Sequence, residues 1–132
     1  MAKYIYPAVI VEEDDCFQVS FPDFDGINTF GKDLQEAYDM AEDALSLMLY
    51  DIEDTDGVIP AASDINSIRK KHKTDIVTLV SCDTIVYREQ RYNRLVKKTV
   101  TIEYWLNRMG EKANLNFSQL LRNAIKQELN IL

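Results

Sequence analysis

A strand-like segment lies close to the C-terminal end of the chain, and no later segment can serve as its partner strand. In KKTVTIEYWL, residues 97–106, polar and apolar side chains alternate, which predicts a strand over 97–103. The residues that follow predict two helices, over about 104–113 and about 117–130. An unpaired strand exposes a row of backbone N–H and C=O groups. Antiparallel pairing with the same segment of a second copy satisfies these groups, so the segment predicts a homodimer and leaves a higher oligomer open.

Apolar residues around this segment can form the core of such a dimer. Val100 and Ile102 share the strand face that turns toward the helices, and the last helix carries an apolar stripe at helical spacing. Asn116 directly precedes that helix and is a suitable N-cap, with Ser118 close behind. The residues predicted to form the dimer core are Val100, Ile102, Trp105, Leu106, Phe117, Leu120 and Leu121.

The N-terminal half changes from a strand pattern to a helix pattern at Asp33. Residues 4–11 and 16–21 are rich in β-branched and aromatic side chains and are separated by EEDD, which predicts an antiparallel hairpin. Turn-forming residues in PDFDG then lead to a short third strand over 27–31. From Asp33 onward, apolar residues recur every three or four positions, which predicts an amphipathic helix of about 18 residues that packs on the sheet.

The middle of the chain is less regular. Residues 62–73 are polar and then basic, and we expect a mobile connection that can include a short helix from Asp64 to Ile68. Residues 75–83 predict another strand, expected to return to the first sheet, whereas 83–96 is ambiguous and is compatible with a strand end that leads into a short helical linker.

These patterns predict an α+β protein with two domains. The first, over 1–90, is a β-sheet with a packed helix, and the second, over 91–132, is a strand followed by two helices. In an alternative interpretation, 97–103 closes the N-terminal sheet as a further strand. That alternative leaves the two terminal helices unexplained.

Charge is divided unequally along the chain. The 132 residues carry a net charge of −7. Residues 1–62 contain 2 basic and 15 acidic side chains, a net −13, whereas residues 63–132 contain 13 basic and 7 acidic side chains, a net +6. An acidic half joined to a basic half predicts two partners of opposite charge.

Few residues suggest a chemical reaction. Cys16 and Cys82 stand alone in strand-like runs without metal-ligand spacing, and His72, the only histidine, lies in the polar stretch RKKHK. We therefore predict no catalytic residue, no metal site and no cofactor. The chain has neither an apolar run of about 18 residues nor an export signal, so a cytoplasmic protein is expected.

A two-stranded ribbon formed by two copies of 97–103 fits the major groove of DNA. Hydroxyl and amine groups on its outward face can reach base edges, and the helix capped by Asn116 offers backbone N–H groups to a phosphate. The residues predicted to bind DNA are Lys97, Thr99, Thr101, Glu103, Asn116 and Ser118. Together, TVTIEYWL, the short helix and NLNFSQLL resemble the ribbon-helix-helix repressors. The sequences that this segment resembles often have proline where this chain has Glu103, and a carboxylate that faces phosphates lowers affinity, although it can accept a hydrogen bond from a cytosine amino group.

The N-terminal half resembles the HicB antitoxin family. The resemblance rests on YPAVIV, FQVSFPDFDG, TFG, the L-x-E-A pattern, VIPAAS and DIVTLVS. It implies a domain like a reduced RNase H fold that binds and blocks HicA, a small basic RNA-cleaving toxin. It also implies a C-terminal domain that represses the operon encoding both proteins. No individual toxin-contact residue follows from the sequence.

Two other functions compete with this interpretation. A metal-dependent nuclease of RNase H type would use carboxylates such as Asp14, Asp15, Asp23 and Asp25, but these acids fall in a hairpin turn and a loop. A ligand-responsive ribbon-helix-helix regulator would keep the DNA-binding domain, but no phosphate loop or cofactor motif supports a small-molecule site.

Overall fold

A computed structural model describes residues 3–131 of the chain. The chain forms two compact units, one ending at Asn93 and the other beginning at Arg94. The boundary lies three residues after the predicted one. Each unit is described by itself below.

The first unit is built on a four-stranded antiparallel sheet. Its strands are β1 (Lys3–Glu13), β2 (Cys16–Phe21), β3 (Phe24–Gly31) and β4 (Ile76–Asp83), in the order β3-β2-β1-β4. The predicted hairpin is confirmed, and the return of the strand at 75–83 to the first sheet is confirmed as well. β3 begins three residues earlier than predicted because only Pro22 and Asp23 are needed for the turn from β2.

The turn between β1 and β2 uses two aspartates in the left-handed region. Asp14 has φ 48° and Asp15 has φ 63°. Positive φ at both central residues matches the right-handed twist of a hairpin, and Asp tolerates this conformation better than most residues. The acidic turn therefore has a local conformational role.

Helix α1 (Leu34–Asp54) packs on one face of the sheet, as predicted. The Asp33 carboxylate caps it by accepting a hydrogen bond from the Glu36 backbone N–H at 2.8 Å. Buried residues of the sheet and of α1 form the core: Tyr6, Ala8, Ile10, Val19, Phe21, Phe24, Ile27, Ala37, Ala41, Leu45, Leu49, Val80 and Cys82. The helix also comes so close to β3 that a Cβ on Gly31 would lie 2.2 Å from the Ala37 backbone nitrogen.

Two short helices complete the first unit. α2 (Ile65–Lys71) occupies most of the segment expected to be a mobile connection, and it is held by the buried side chain of Ile68. α3 (Thr84–Arg91) resolves the ambiguous stretch after β4 in favour of a helix. Thr84 and Tyr87 are its buried residues.

The second unit consists of an extended segment and two helices, α4 (Tyr104–Lys112) and α5 (Phe117–Glu128), close to the predicted bounds. The single chain forms no strand at 97–103, because no described residue of the chain pairs with this segment. The alternative in which 97–103 joins the first sheet is wrong, since β3 and β4 are the edge strands.

The helices give no sign of a membrane span. Within residues 3–131, none is both long enough and apolar enough to cross a bilayer.

Candidate functional site

The second unit exposes most of its large apolar side chains. Trp105 is 61% exposed and Leu120 is 49% exposed, and Gly110 is the only buried residue described in this unit. Of the seven residues predicted to form a dimer core, six are exposed and Leu121 is half-buried. Isolated units of this size bury little apolar surface, and an extensive exposed apolar surface marks a site of interaction.

The two helices of this unit meet at Gly110. A Cβ at this position would lie 2.6 Å from Cζ of Phe117, at the start of α5. Asn114, in the connecting loop, adopts a left-handed conformation with φ 54°. The turn and the close contact at Gly110 together set the direction in which α5 leaves α4.

The residues predicted to bind DNA are accessible in the structure. Lys97, Thr99 and Thr101 are exposed in the extended segment before α4. Glu103 is the N-cap residue of α4, although its side chain makes no capping hydrogen bond. The extended segment therefore ends at Glu103, where α4 begins, whereas Thr99 and Thr101 lie within the segment.

The start of α5 has the geometry expected of a capped helix. The Asn116 side-chain oxygen accepts a hydrogen bond from the Gln119 backbone N–H at 3.0 Å, which confirms the predicted N-cap. Ser118 is exposed in the first turn. The N–H groups of this turn that remain unbonded can bind an anion.

In the first unit, the exposed surface of α1 is strongly acidic. The helix carries seven carboxylates and no basic side chain. Two of them pair with α3, Glu53 with Arg88 at 2.7 Å and Asp43 with Arg91 at 2.6 Å. The other five are exposed and, within residues 3–131, form no ion pair. They are Glu36, Asp39, Glu42, Asp51 and Asp54, called here the α1 acidic surface.

An apolar depression borders this surface. It has a volume of about 450 Å³ and lies between β3 and α1, with Ile27, Leu47 and Met48 among its lining residues and Asp51 at its rim. Leu47 is 51% exposed there. Apolar groups next to unpaired carboxylates form a surface that a basic protein can cover.

The largely buried carboxylate of Glu53 connects three elements. It accepts hydrogen bonds from Tyr4 of β1 at 2.6 Å, from Arg88 of α3 and from Thr84. Burial alone would raise the pKa of Glu53, but these hydrogen bonds outweigh burial and lower the pKa below its ordinary value. Burial and the hydrogen bond to Glu53 raise the pKa of Tyr4 to about 12. The network fixes α3 against α1 and β1.

Three of the four acids considered for a nuclease lie in turns, as predicted, whereas Asp25 was predicted in a loop and instead lies at an exposed position of β3. Asp14 and Asp15 form the hairpin turn, and the Asp23 carboxylate accepts hydrogen bonds from the Ser63 backbone N–H and hydroxyl. Within residues 3–131, no three His, Cys, Asp or Glu side chains are arranged to hold a metal ion.

Three solved structures resemble this chain over most of its length. An antitoxin-containing structure described as a toxin–antitoxin complex from Streptococcus pneumoniae is 29% identical, with a TM-score of 0.59, and the match covers 96% of this chain and 99% of the other. The Burkholderia pseudomallei antitoxin HicB is 19% identical, with a TM-score of 0.55 and 98% of each chain covered. The antitoxin HicB3 is 22% identical, with a TM-score of 0.51 and coverage of 95% and 97%. These last two support the fold alone, and no curated protein matches.

The family comparison extends across both units. Residues 6–124 match the family described as "HicB_like antitoxin of bacterial toxin-antitoxin system". This range includes most of the sheet, α1, the extended segment and the first part of α5. The chain therefore belongs to the HicB-like antitoxin family, as the sequence motifs predicted.

Proposed function

We propose that this antitoxin neutralises a HicA-type RNA-cleaving toxin and represses its own operon. The observation that carries this proposal is the division of charge between the two compact units. The first contains 8 basic and 19 acidic side chains, a net −11, and the second contains 7 basic and 3 acidic side chains, a net +4. An acidic unit attracts a basic toxin, and a basic unit attracts DNA.

The α1 acidic surface and the apolar depression beside it are the proposed toxin-binding face. A toxin that cleaves RNA must present cations to a polyanion, and five unpaired carboxylates offer those cations a competing partner. Leu47 and Met48 supply apolar contact area at the same place. Family membership and the similarity to a chain from a toxin–antitoxin complex support a toxin partner.

The second unit is proposed to act as a ribbon-helix-helix dimer. Two copies of 97–103 pair antiparallel, Val100 and Ile102 turn toward the helices, and Trp105, Leu106, Phe117, Leu120 and Leu121 complete the core. The outward face then presents Lys97, Thr99, Thr101 and Glu103 to the major groove, while the α5 start at Asn116 and Ser118 contacts a phosphate. The exposure of these apolar side chains in a single chain supports the dimer.

In this proposal the chain has no catalytic activity and acts in the cytoplasm, with toxin binding assigned to 1–90 and DNA binding to 91–132.

Growth rescue tests the toxin-binding function. Expression of the small reading frame adjacent in the genome should arrest bacterial growth, and co-expression of this chain should restore it. The variant Leu47→Asp should restore growth less well, whereas Val58→Asp, which changes an apolar residue that is 90% exposed outside this face, should behave as the unsubstituted chain. Growth arrest that persists with the unsubstituted chain would contradict the proposal.

A further inference from the structure

A dense group of cations lies in the otherwise acidic first unit. Arg69, Lys70, Lys71 and Lys73, called here the α2 basic cluster, supply four of the eight basic side chains of this unit within five consecutive residues. All four are exposed. The toxin-binding proposal gives them no role, because a basic toxin would be repelled by them.

The four cations have no ionic partners among the residues that the structure describes. Within residues 3–131, none of them forms an ion pair, whereas Arg88 and Arg91 both do. The two nearest carboxylates in sequence are otherwise engaged. Asp64 caps α2 by accepting hydrogen bonds from the Asn66 backbone N–H and the Ser67 hydroxyl, and Asp75 lies 3.1 Å from Nδ1 of His72. The cluster therefore keeps its full positive charge available to a partner.

Packing holds the cluster in place. Ile68, within the same helix, is 7% exposed, and α2 contacts β4. Arg69, Lys70 and Lys71 thus project from a helix anchored on the sheet, and Lys73 directly follows its C-cap residue His72.

Strand alternation shows that α2 and α1 cover opposite faces of the sheet. Ala8 and Ile10 belong to the core under α1, so the side chain of Val9 points to the other face. Val9 is buried there, and its cross-strand partner Val77 lines the same cleft as Arg69 and Lys70. Between α1 and α2 the chain passes the β2–β3 turn, where the Ser63 backbone N–H donates a hydrogen bond to Asp23. After this contact the chain reaches the face covered by α2. The acidic and basic surfaces of the first unit are therefore separated by the sheet.

We propose that the α2 basic cluster binds the phosphate backbone of the operator duplex, outside the base pairs contacted by the C-terminal unit. Three cations of the cluster, Arg69, Lys70 and Lys73, line a cleft of about 610 Å³ and can donate hydrogen bonds to a phosphate. The Asp75 carboxylate also lines this cleft, where it lies next to His72. Clustered Lys and Arg side chains neutralise phosphates and release counterions irrespective of sequence. The inference rests on the proposed DNA-binding function and adds a second point of contact to it.

The test uses the full chain and a matched pair of double variants. Arg69→Gln/Lys70→Gln removes two cations that line the cleft, and Lys3→Gln/Lys32→Gln removes two exposed cations elsewhere in the first unit. Fluorescence anisotropy measures the affinity of each protein for the upstream operator duplex with long flanks, over a series of NaCl concentrations. Equal thermal unfolding and equal growth rescue would establish that both variants are folded.

Of the two double variants, only Arg69→Gln/Lys70→Gln should change the salt dependence of operator binding. The slope of log K against log salt should become about 2 units less steep for Arg69→Gln/Lys70→Gln, with roughly tenfold weaker binding near physiological salt, and should stay unchanged for Lys3→Gln/Lys32→Gln. Equal slopes for all three proteins, or an equal reduction in both variants, would overturn the proposal while leaving operator binding intact. Loss of affinity for single-stranded RNA with duplex binding unchanged would also overturn it. Absence of operator binding by the unsubstituted chain would overturn the DNA-binding function itself.

Discussion

At the scale of single residues, the first unit depends on a few positions where atoms approach closely or where charge is buried. Gly31 allows α1 to approach β3, because any Cβ there would overlap the backbone of Ala37. Glu53 keeps its charge in a largely buried position because Tyr4, Thr84 and Arg88 donate hydrogen bonds to it. The close approach at Gly31 and the hydrogen bonds to Glu53 both depend on tertiary packing.

Replacing Gly31 tests the close approach of α1 to β3. Gly31→Ala should lower the free energy of unfolding of the first unit by about 1–3 kcal/mol, since the helix must move away from the strand. Gly26→Ala is the matched control, because its Cβ would meet only Cε of Met48 at 3.9 Å. Urea unfolding followed by far-UV circular dichroism measures both variants. Equal midpoints would show that α1 does not lie as close to β3 as described.

The Glu53 network predicts a pH dependence of stability. Because the pKa of Glu53 is lowered on folding, the ionised carboxylate stabilises the folded state above its ordinary value of 4.5, and this contribution is lost as the pH falls through the lowered pKa. Glu53→Gln should therefore be less stable than the unsubstituted chain at pH 7, and the difference should shrink as the pH is lowered below about 4.5. Asp54→Asn, at an exposed neighbour, should follow the unsubstituted chain. Thermal unfolding between pH 2.5 and 7 measures the stability of each protein. A difference between Glu53→Gln and the unsubstituted chain that stays constant across that range would contradict the predicted pH dependence.

At the scale of elements, the sequence was most informative where a structure depends on its own local pattern. The hairpin, α1 and α5 follow from alternation, helical spacing and the N-caps Asp33 and Asn116, all of which are local. α2 and α3 were poorly predicted because short helices depend on tertiary burial, here of Ile68 and Tyr87.

The candidate site could be predicted in part, for similar reasons. The apolar residues of the second unit were recognisable from their spacing. The pairing of Glu53 with Tyr4 and Arg88 was not, since it joins positions 49 and 35 residues apart in sequence. The α1 acidic surface was visible only as net charge until the structure separated paired from unpaired carboxylates.

The extended segment before α4 is predicted to determine the specificity for operator DNA. Thr99→Ala/Thr101→Ala should reduce the preference for operator over unrelated DNA roughly 30-fold or more, because each lost base contact costs about 1–3 kcal/mol. Growth rescue should be unaffected, since the first unit is unchanged. Thr74→Ala, at an exposed threonine of the first unit, is the control. Competition binding with operator and scrambled duplexes measures the preference, and an unchanged ratio would show that this segment does not contact base edges.

At the scale of the whole molecule, the acidic unit and the basic unit are proposed to bind partners of opposite charge. In the proposed function the exposed apolar residues of the basic unit are buried by a second copy, which would make repression depend on dimer formation. The first unit has its own core under α1 and does not depend on the second for burial.

Dimer formation can be followed through Trp105, the only tryptophan in the chain. Its side chain is 61% exposed in a single chain and becomes buried in the proposed dimer, so its emission should shift to longer wavelength on dilution. Leu120→Glu should give the long-wavelength emission at all concentrations, because it places a charge in the dimer core. Leu95→Glu, at a residue that is 84% exposed outside that core, should behave as the unsubstituted chain. An emission maximum independent of concentration and unaffected by Leu120→Glu would contradict this dimer.

The most direct test of the antitoxin function is co-purification with the product of the adjacent small reading frame, with a tag on that product alone. We expect that both chains elute together in a stable complex and that the complex retards the DNA upstream of the pair in a mobility-shift assay. If the tagged protein elutes without this chain, or if the chain retards the DNA but never binds the tagged protein, the proposed antitoxin function is wrong.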